Sequence, residues 1–174
     1  VRNLRRALVR ARGNGRMSPI VIVVIIFLVV FGSVSMLKPS PRQQRLAKLR
    51  IDAIKLGLQV KLETFKVDSK KTGVRDDIVG ARYLRFDTDI KSQAIRWCVV
   101  RQQGWEQEGL PAGWSWHNQA AMPDLLKLFQ YIEQLSDDVV LVEVFDNRSS
   151  IMTTEGKSSS AETINAWVDS AQQL

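Results

Sequence analysis

The stretch that decides the predicted layout of this chain, residues 20–37, reads IVIVVIIFLVVFGSVSML and contains no charged side chain. At a rise of 1.5 Å per residue, a helix of these 18 residues spans about 27 Å. That length is close to the roughly 30 Å hydrocarbon core of a bilayer. The run therefore predicts a transmembrane helix over residues 18–37 and a single-pass membrane protein.

The distribution of charge points to the same surroundings. The 174-residue chain has a formal net charge of +7, which taken alone is typical of a nucleic-acid-binding protein. The excess of Lys and Arg lies in residues 1–17 and 38–61, whereas residues 62–174 are mildly acidic. We therefore expect a bilayer with anionic headgroups, and not nucleic acid, as a partner. The predicted membrane-surface residues are Lys38, Arg42, Arg45, Lys48 and Arg50.

The orientation of the predicted span depends on where translation begins. With residues 1–16 present, the Lys and Arg counts on its two sides are equal and favour neither orientation. Val1 is what literal translation of a GTG codon gives, and Met17 stands just before the span. We expect Met17 to be the start, which places the C-terminal domain in the cytoplasm. A cleaved signal peptide with Ser33 and Ser35 before the cleavage site is the alternative.

The basic segment 38–57 predicts an amphipathic helix that ends at Gly57. Its apolar side chains repeat at intervals of three and four residues: Leu46, Leu49, Ala53 and Leu56. Either the stripe packs on the domain that follows, or the helix lies on anionic headgroups with its basic side chains reaching to the membrane surface. The pattern leaves both interpretations open.

Residues 38–46, Lys-Pro-Ser-Pro-Arg-Gln-Gln-Arg-Leu, follow the apolar run directly. A span followed by such a run resembles the YajC-type accessory subunit of the bacterial Sec translocon. The whole layout is more similar to an uncharacterised family of bacterial single-pass inner-membrane proteins. This resemblance covers residues 20–50. It implies the cell inner membrane with a cytoplasmic C-terminal domain, and it implies no activity.

Residues 58–174 predict an α+β domain with a mostly antiparallel sheet and about two helices on one face. Alternation of apolar and polar side chains, or short apolar runs, predict five strands: residues 58–64, 81–87, 94–101, 139–145 and 150–154. We expect the second and third of these strands to form a hairpin. Amphipathic helices are predicted over residues 123–135 and after Ser159, which forms a capping-box pattern with Glu162.

Three of the five tryptophans lie in one segment rich in glycine, Trp105, Trp114 and Trp116. Exposed tryptophan in a loop is typical of a binding surface, so the segment is a candidate partner loop. The alternative is that Trp114 and Trp116, two positions apart, share one face of a short strand and close the core.

The sequence gives no support for catalysis, a cofactor or a metal. One histidine, His117, and one cysteine, Cys98, are too few for a closed zinc site, and neither lies in a nucleophile motif. No phosphate-binding glycine motif occurs. Pairs of acidic residues such as Asp137 and Asp138 fall in predicted loops.

These observations predict a membrane-tethered interaction or scaffold module on the cytoplasmic face, a non-enzymatic accessory subunit of a membrane complex. Its expected partners are the bilayer and either a membrane protein or a second copy of the chain. A membrane-anchored enzyme without a recognisable motif and an exported domain are the alternatives.

Overall fold

The computed structural model describes residues 19–36, 39–73 and 76–174, with the side chains of residues 33–36 and 71–72 left out. The chain divides into two compact units, Val1–Pro41 and Arg42–Leu174. Each unit is described by itself.

The apolar run forms helix α1, Pro19–Met36, whose side chains over residues 20–31 are exposed. The helix has 18 residues, and Gly32, Ser33 and Ser35 lie in its last turns. Within the described residues, no helix combines the length and the apolar character needed to cross a bilayer. This finding contradicts the predicted transmembrane helix 18–37, and with it the single-pass inner-membrane location.

The second unit is an α+β domain, in agreement with that part of the predicted fold class. Its helices are α2 (Pro41–Lys55), α3 (Ser69–Thr72), α4 (Leu125–Glu133) and α5 (Ala161–Gln172). Its strands are β1 (Gln59–Phe65), β2 (Ile78–Phe86), β3 (Ile95–Val100), β4 (Ser115–Gln119), β5 (Val139–Phe145) and β6 (Arg148–Thr153).

The six strands form one antiparallel sheet in the order β1-β2-β6-β5-β3-β4. The predicted hairpin between β2 and β3 is therefore wrong, because β2 lies between β1 and β6 while β3 lies between β5 and β4. The hairpins that do form are β1–β2, β3–β4 and β5–β6. Partners so distant along the chain leave no local sequence pattern, which is why the periodicity located both strands but not their neighbours.

One face of the sheet packs on α2, α4 and α5. Each helix places apolar side chains in the same buried cluster, for example Ala53, Leu128 and Val168. The strands contribute residues such as Tyr83 and Trp97, both fully buried. The helix over residues 41–55 thus contributes Leu49 and Ala53 of its predicted apolar stripe to the domain core, whereas Leu56 is exposed.

The opposite face is concave. Phe65 of β1 and His117 of β4 meet edge to face with ring centroids 4.9 Å apart, although their strands are the two edges of the sheet. The sheet therefore curls until its edges approach at this end. The segment after β1 covers that end, where Val67 joins a second cluster with Cys98 and Leu141.

The helix ends show how local chemistry sets the boundaries. Asp124 caps α4 by accepting the N–H groups of Leu126 and Lys127. Ser160, and not the predicted Ser159, caps α5. Gly57 follows α2 with φ of 87°, the left-handed conformation that glycine adopts most easily.

Candidate functional site

The tryptophan segment divides into a buried part and an exposed part. Trp114 and Trp116 lie in the core, with Trp116 only 2% exposed. The Trp116 indole N–H donates to the carbonyl of Glu108 at 3.0 Å, and its backbone N–H donates to the carbonyl of Glu106 at 2.8 Å. Two of the three predicted partner residues therefore hold the loop on the domain and are not available on its surface.

Trp105 is the exposed member, with 75% of its surface accessible. Its indole lies against Gly73, where a Cβ would overlap the ring and where φ is 75°. The loop around it is tied internally, since Gln107 donates to the carbonyl of Gly104 at 2.6 Å and Leu110 donates to that of Gln107 at 3.0 Å. The structure thus presents one large aromatic side chain from a loop with defined hydrogen bonds.

The uncovered end of the concave face holds a polar pocket of about 290 Å³. At its centre the buried Arg82 guanidinium makes ion pairs with Glu63 of β1 and Glu143 of β5, and it donates to the Ser150 hydroxyl at 3.1 Å. A buried charge is costly unless it is paired and hydrogen-bonded, and the two carboxylates and the Ser150 hydroxyl meet this need for Arg82. This network ties the edge strand β1 to the middle of the sheet.

Two further cations line the same pocket. The Arg148 guanidinium stacks on Phe145, with its central carbon 3.7 Å from the ring centroid, and lies 5.9 Å from that of Phe86. Lys61 is exposed at the rim. Within the described residues neither Arg148 nor Lys61 forms an ion pair, so the rim of the pocket has positive charge available to an approaching carboxylate.

Two of the predicted membrane-surface residues, Arg45 and Arg50, make contacts within the domain. Arg45 donates to the carbonyls of Gly156 at 2.7 Å and Glu155 at 2.9 Å, and Arg50 pairs with the Glu155 carboxylate. These two side chains hold α2 on the domain. Arg42 and Lys48 are exposed, whereas Lys38 lies outside the described residues.

Glu155 is the unusual residue at this contact. It has φ of 55°, the left-handed region that non-glycine residues rarely adopt, and it is 5% exposed. Its carboxylate accepts hydrogen bonds from Arg50 Nε at 2.8 Å and from the Tyr83 hydroxyl at 2.6 Å. Burial, followed by this bond to Glu155, raises the pKa of Tyr83. The hydrogen bond to Glu155 likewise raises the pKa of Arg50.

Such strained positions cluster at functional sites, but Glu155 is enclosed and both of its oxygens are occupied. Its geometry suits a structural contact between α2 and the chain that follows β6. Sequence reasoning missed Glu155, Arg82 and Glu143. The signal for Glu143 was a single charged residue inside an otherwise apolar strand, whereas Arg82 shares β2 with a second arginine, Arg85.

The residues weighed for catalysis are dispersed. His117 accepts the backbone N–H of Asp68 at 3.1 Å through Nε2, and Cys98 is buried. Asp137 pairs with Arg101 at 2.8 Å. In the part of the chain that the structure describes, no three His, Cys, Asp or Glu side chains are grouped as metal ligands.

Comparison of the chain with protein-family models, with curated proteins and with solved structures gives no match. The resemblance of residues 20–50 therefore stays a prediction.

Proposed function

We propose that the domain formed by residues 42–174 is a non-enzymatic interaction module that binds a protein partner through Trp105. The single observation that carries this proposal is the exposure of Trp105 on a loop held by two buried tryptophans. Tryptophan is enriched among the residues that dominate binding energies, because it buries a large area with few rotatable bonds.

The anchoring of the loop also supports the proposal. Ordering a loop on binding costs conformational entropy that subtracts from affinity. Here Trp116 and Ser115 fix the loop beforehand, with the Ser115 hydroxyl donating to the carbonyl of Gln102 at 2.8 Å. A partner that buries the Trp105 ring would therefore gain most of the contact free energy.

The state of the buried charged groups favours binding over catalysis. Glu155 and Arg82 are each held by partners within the domain. A catalytic acid or base needs access to a substrate, which enclosed and fully hydrogen-bonded groups lack.

The test uses a photo-crosslinking amino acid at position 105 of the full chain in its native cell, with position 126 as the matched control. Leu126 is 79% exposed on α4, so it samples a comparably exposed apolar side chain that lies outside residues 104–116. We expect a discrete protein adduct from position 105 that position 126 does not give.

The partner identified in this way is then purified and its affinity for the full chain is measured. Trp105→Ala should weaken binding by about 2 kcal/mol, or roughly 30-fold. Leu126→Ala should change the affinity less than about threefold. Identical adducts from both positions, or equal affinities of the two variants, would refute the proposal.

A further inference from the structure

Strand β1 is an edge strand of the sheet, and one of its two sides has no neighbouring strand among the described residues. Nothing in the described parts of the chain pairs with the outer side of its seven residues, and its register with β2 runs from Gln59 to Phe65 without a shift. Leu62 at its middle is 65% exposed. A long, regular, exposed edge strand is a template for pairing with another strand.

The backbone groups that face outward follow from the alternation of the ladder. The Asp87 N–H donates to the carbonyl of Asn147, one step past the end of the β2–β6 pairing. Since successive residues of a strand point their N–H and C=O to opposite sides, odd-numbered residues of β2 bond to β6 and even-numbered ones bond to β1. The residues of β1 opposite these even-numbered ones are odd-numbered, as Lys61 is opposite Arg82.

The outward groups of β1 are therefore those of Val60, Leu62 and Thr64. The preceding residue of the same parity agrees, because the Leu58 N–H turns away from β2 and donates to the carbonyl of Ala53 at 3.1 Å. No hydrogen bond from the described residues reaches the outward N–H or C=O of these three β1 residues. An incoming strand would find all of them available.

We propose that two copies of this chain pair through β1, antiparallel, with Leu62 opposite Leu62 on a two-fold axis. In this register Val60 lies opposite Thr64 of the second copy, and each such pair exchanges both backbone hydrogen bonds. About six hydrogen bonds then join the two sheets. A two-fold axis satisfies both copies with the same patch and closes the assembly at a dimer.

The side chains select the same register. Lys61 of each copy lies opposite Glu63 of the other, in the pairs whose backbones do not bond and whose side chains are closest. Lys61 has no ion-pair partner among the described residues, and Glu63 engages Arg82 through Oε1. Its second oxygen thus faces a lysine in the dimer. A shift of two residues removes both Lys–Glu pairs and shortens the overlap.

A lysine on an edge strand also serves in many proteins to prevent pairing. Whether Lys61 prevents or supports pairing depends on the acid two positions later, Glu63. In a self-pair centred on Leu62, the charge at position 61 meets the opposite charge at position 63 and becomes an attraction. The partner argued for is therefore a second copy and not an unrelated strand, which need not carry this complementary order.

The test exploits the position of residue 62 on the axis, where it faces itself. In full-length chains, Leu62→Lys and Leu62→Glu each place like charges opposite one another, and each should raise the dimer dissociation constant about tenfold or more. A mixture of the two variants should form heterodimers with a dissociation constant within about threefold of the unsubstituted chain. Sedimentation of differently tagged chains measures both quantities.

Leu126→Lys and Leu126→Glu are the matched controls, because Leu126 has a similar exposure on α4. They should leave the dimer unchanged, alone and mixed. Since Leu62 is mostly exposed, its variants should keep the circular dichroism spectrum and melting temperature of the monomer. A monomeric unsubstituted chain, dimers that persist in both Leu62 variants, or a mixture that fails to pair would each overturn the proposal.

Discussion

The two edges of the sheet differ in length, regularity and cover. β4 has five residues, a register shift opposite Cys98 and Val99, and a neighbouring helix, α3, packed beside it. β1 has seven residues in unbroken register, and only its end at Phe65 is covered. One sheet thus has a protected edge, β4, and an open edge, β1. The difference teaches that an edge strand is protected by the segment packed beside it and not by the sheet itself.

The protection of β4 comes from the chain that leaves β1. After Phe65 this chain crosses the concave face, buries Val67, and bonds Asp68 to His117. α3 then lies against β4, with Asp68 capping it through Lys70. The same segment that covers the far edge therefore leaves the middle of β1 exposed.

The largest expected difference between the two edges is in the free energy of unfolding that is lost when an apolar side chain of each edge strand is truncated. Trp116→Ala on β4 should lower the free energy of unfolding by about 3–5 kcal/mol, because it leaves a large cavity and removes the bond to Glu108. Leu62→Ala on β1 should change it by less than about 0.5 kcal/mol at concentrations where the chain is monomeric. Urea unfolding followed by circular dichroism measures both, and equal losses would contradict the assignment of β4 as the buried edge.

The next effect concerns the attachment of β1 to the sheet. Arg82→Met should lower the free energy of unfolding by about 3 kcal/mol, because Glu63 and the more buried Glu143 lose their cation. Replacing Glu143 as well, in Arg82→Met/Glu143→Leu, should recover at least half of the loss. Urea unfolding measures the stability of both variants, and a double variant less stable than Arg82→Met would show that the uncompensated charge of Glu143 is not the cause.

The smallest expected effect on stability concerns Asp138, which directly precedes β5 in the middle of the sheet. Burial by itself raises the pKa of Asp138, but hydrogen bonds from Ser136, Ser159 and the Gly156 N–H at 3.1 Å outweigh it and hold the pKa below its usual range. Because its pKa is lower in the folded state, Asp138 stabilises the fold at pH values above its pKa in the unfolded chain, about 3.9. This stabilisation is lost as the pH falls through the pKa of Asp138 in the folded protein.

Asp138→Asn should therefore cost about 1–2 kcal/mol at pH 7, and the difference from the unsubstituted chain should shrink below about pH 4. Urea unfolding across pH 3–7 measures it. Asp137→Asn at the neighbouring exposed position is the control and should cost less at pH 7. A difference that grows on acidification would contradict the lowered pKa.

Local sequence patterns predicted the elements better than their arrangement. The apolar run over Val139–Phe145 matches β5 at both ends, and the stripe of Leu49 and Ala53 does pack on the core. Pairing partners were not predictable, because β2 meets β6 through residues some seventy positions apart, as in the pair Ala81 and Thr153. Ladders of this kind depend on topology and not on local propensity.

The same limit applies to the candidate sites. The sequence predicted Arg45 and Arg50 as surface charges, because nothing near them in the chain indicates a partner. Their contact at Glu155 lies more than a hundred residues later in the chain. The sequence left open which of the rings of Trp105, Trp114 and Trp116 is exposed. The apolar run does form helix α1, but no helix among the described residues is long and apolar enough to cross a bilayer.

Hydrogen exchange at single amides of β1, measured over a range of protein concentrations, tests the open edge most directly. Lys61 and Glu63 donate to β2 and should be protected at every concentration. The outward amides of Val60, Leu62 and Thr64 should exchange rapidly in dilute protein and become protected as the dimer forms. Protection of all five amides without any dependence on concentration would contradict the account.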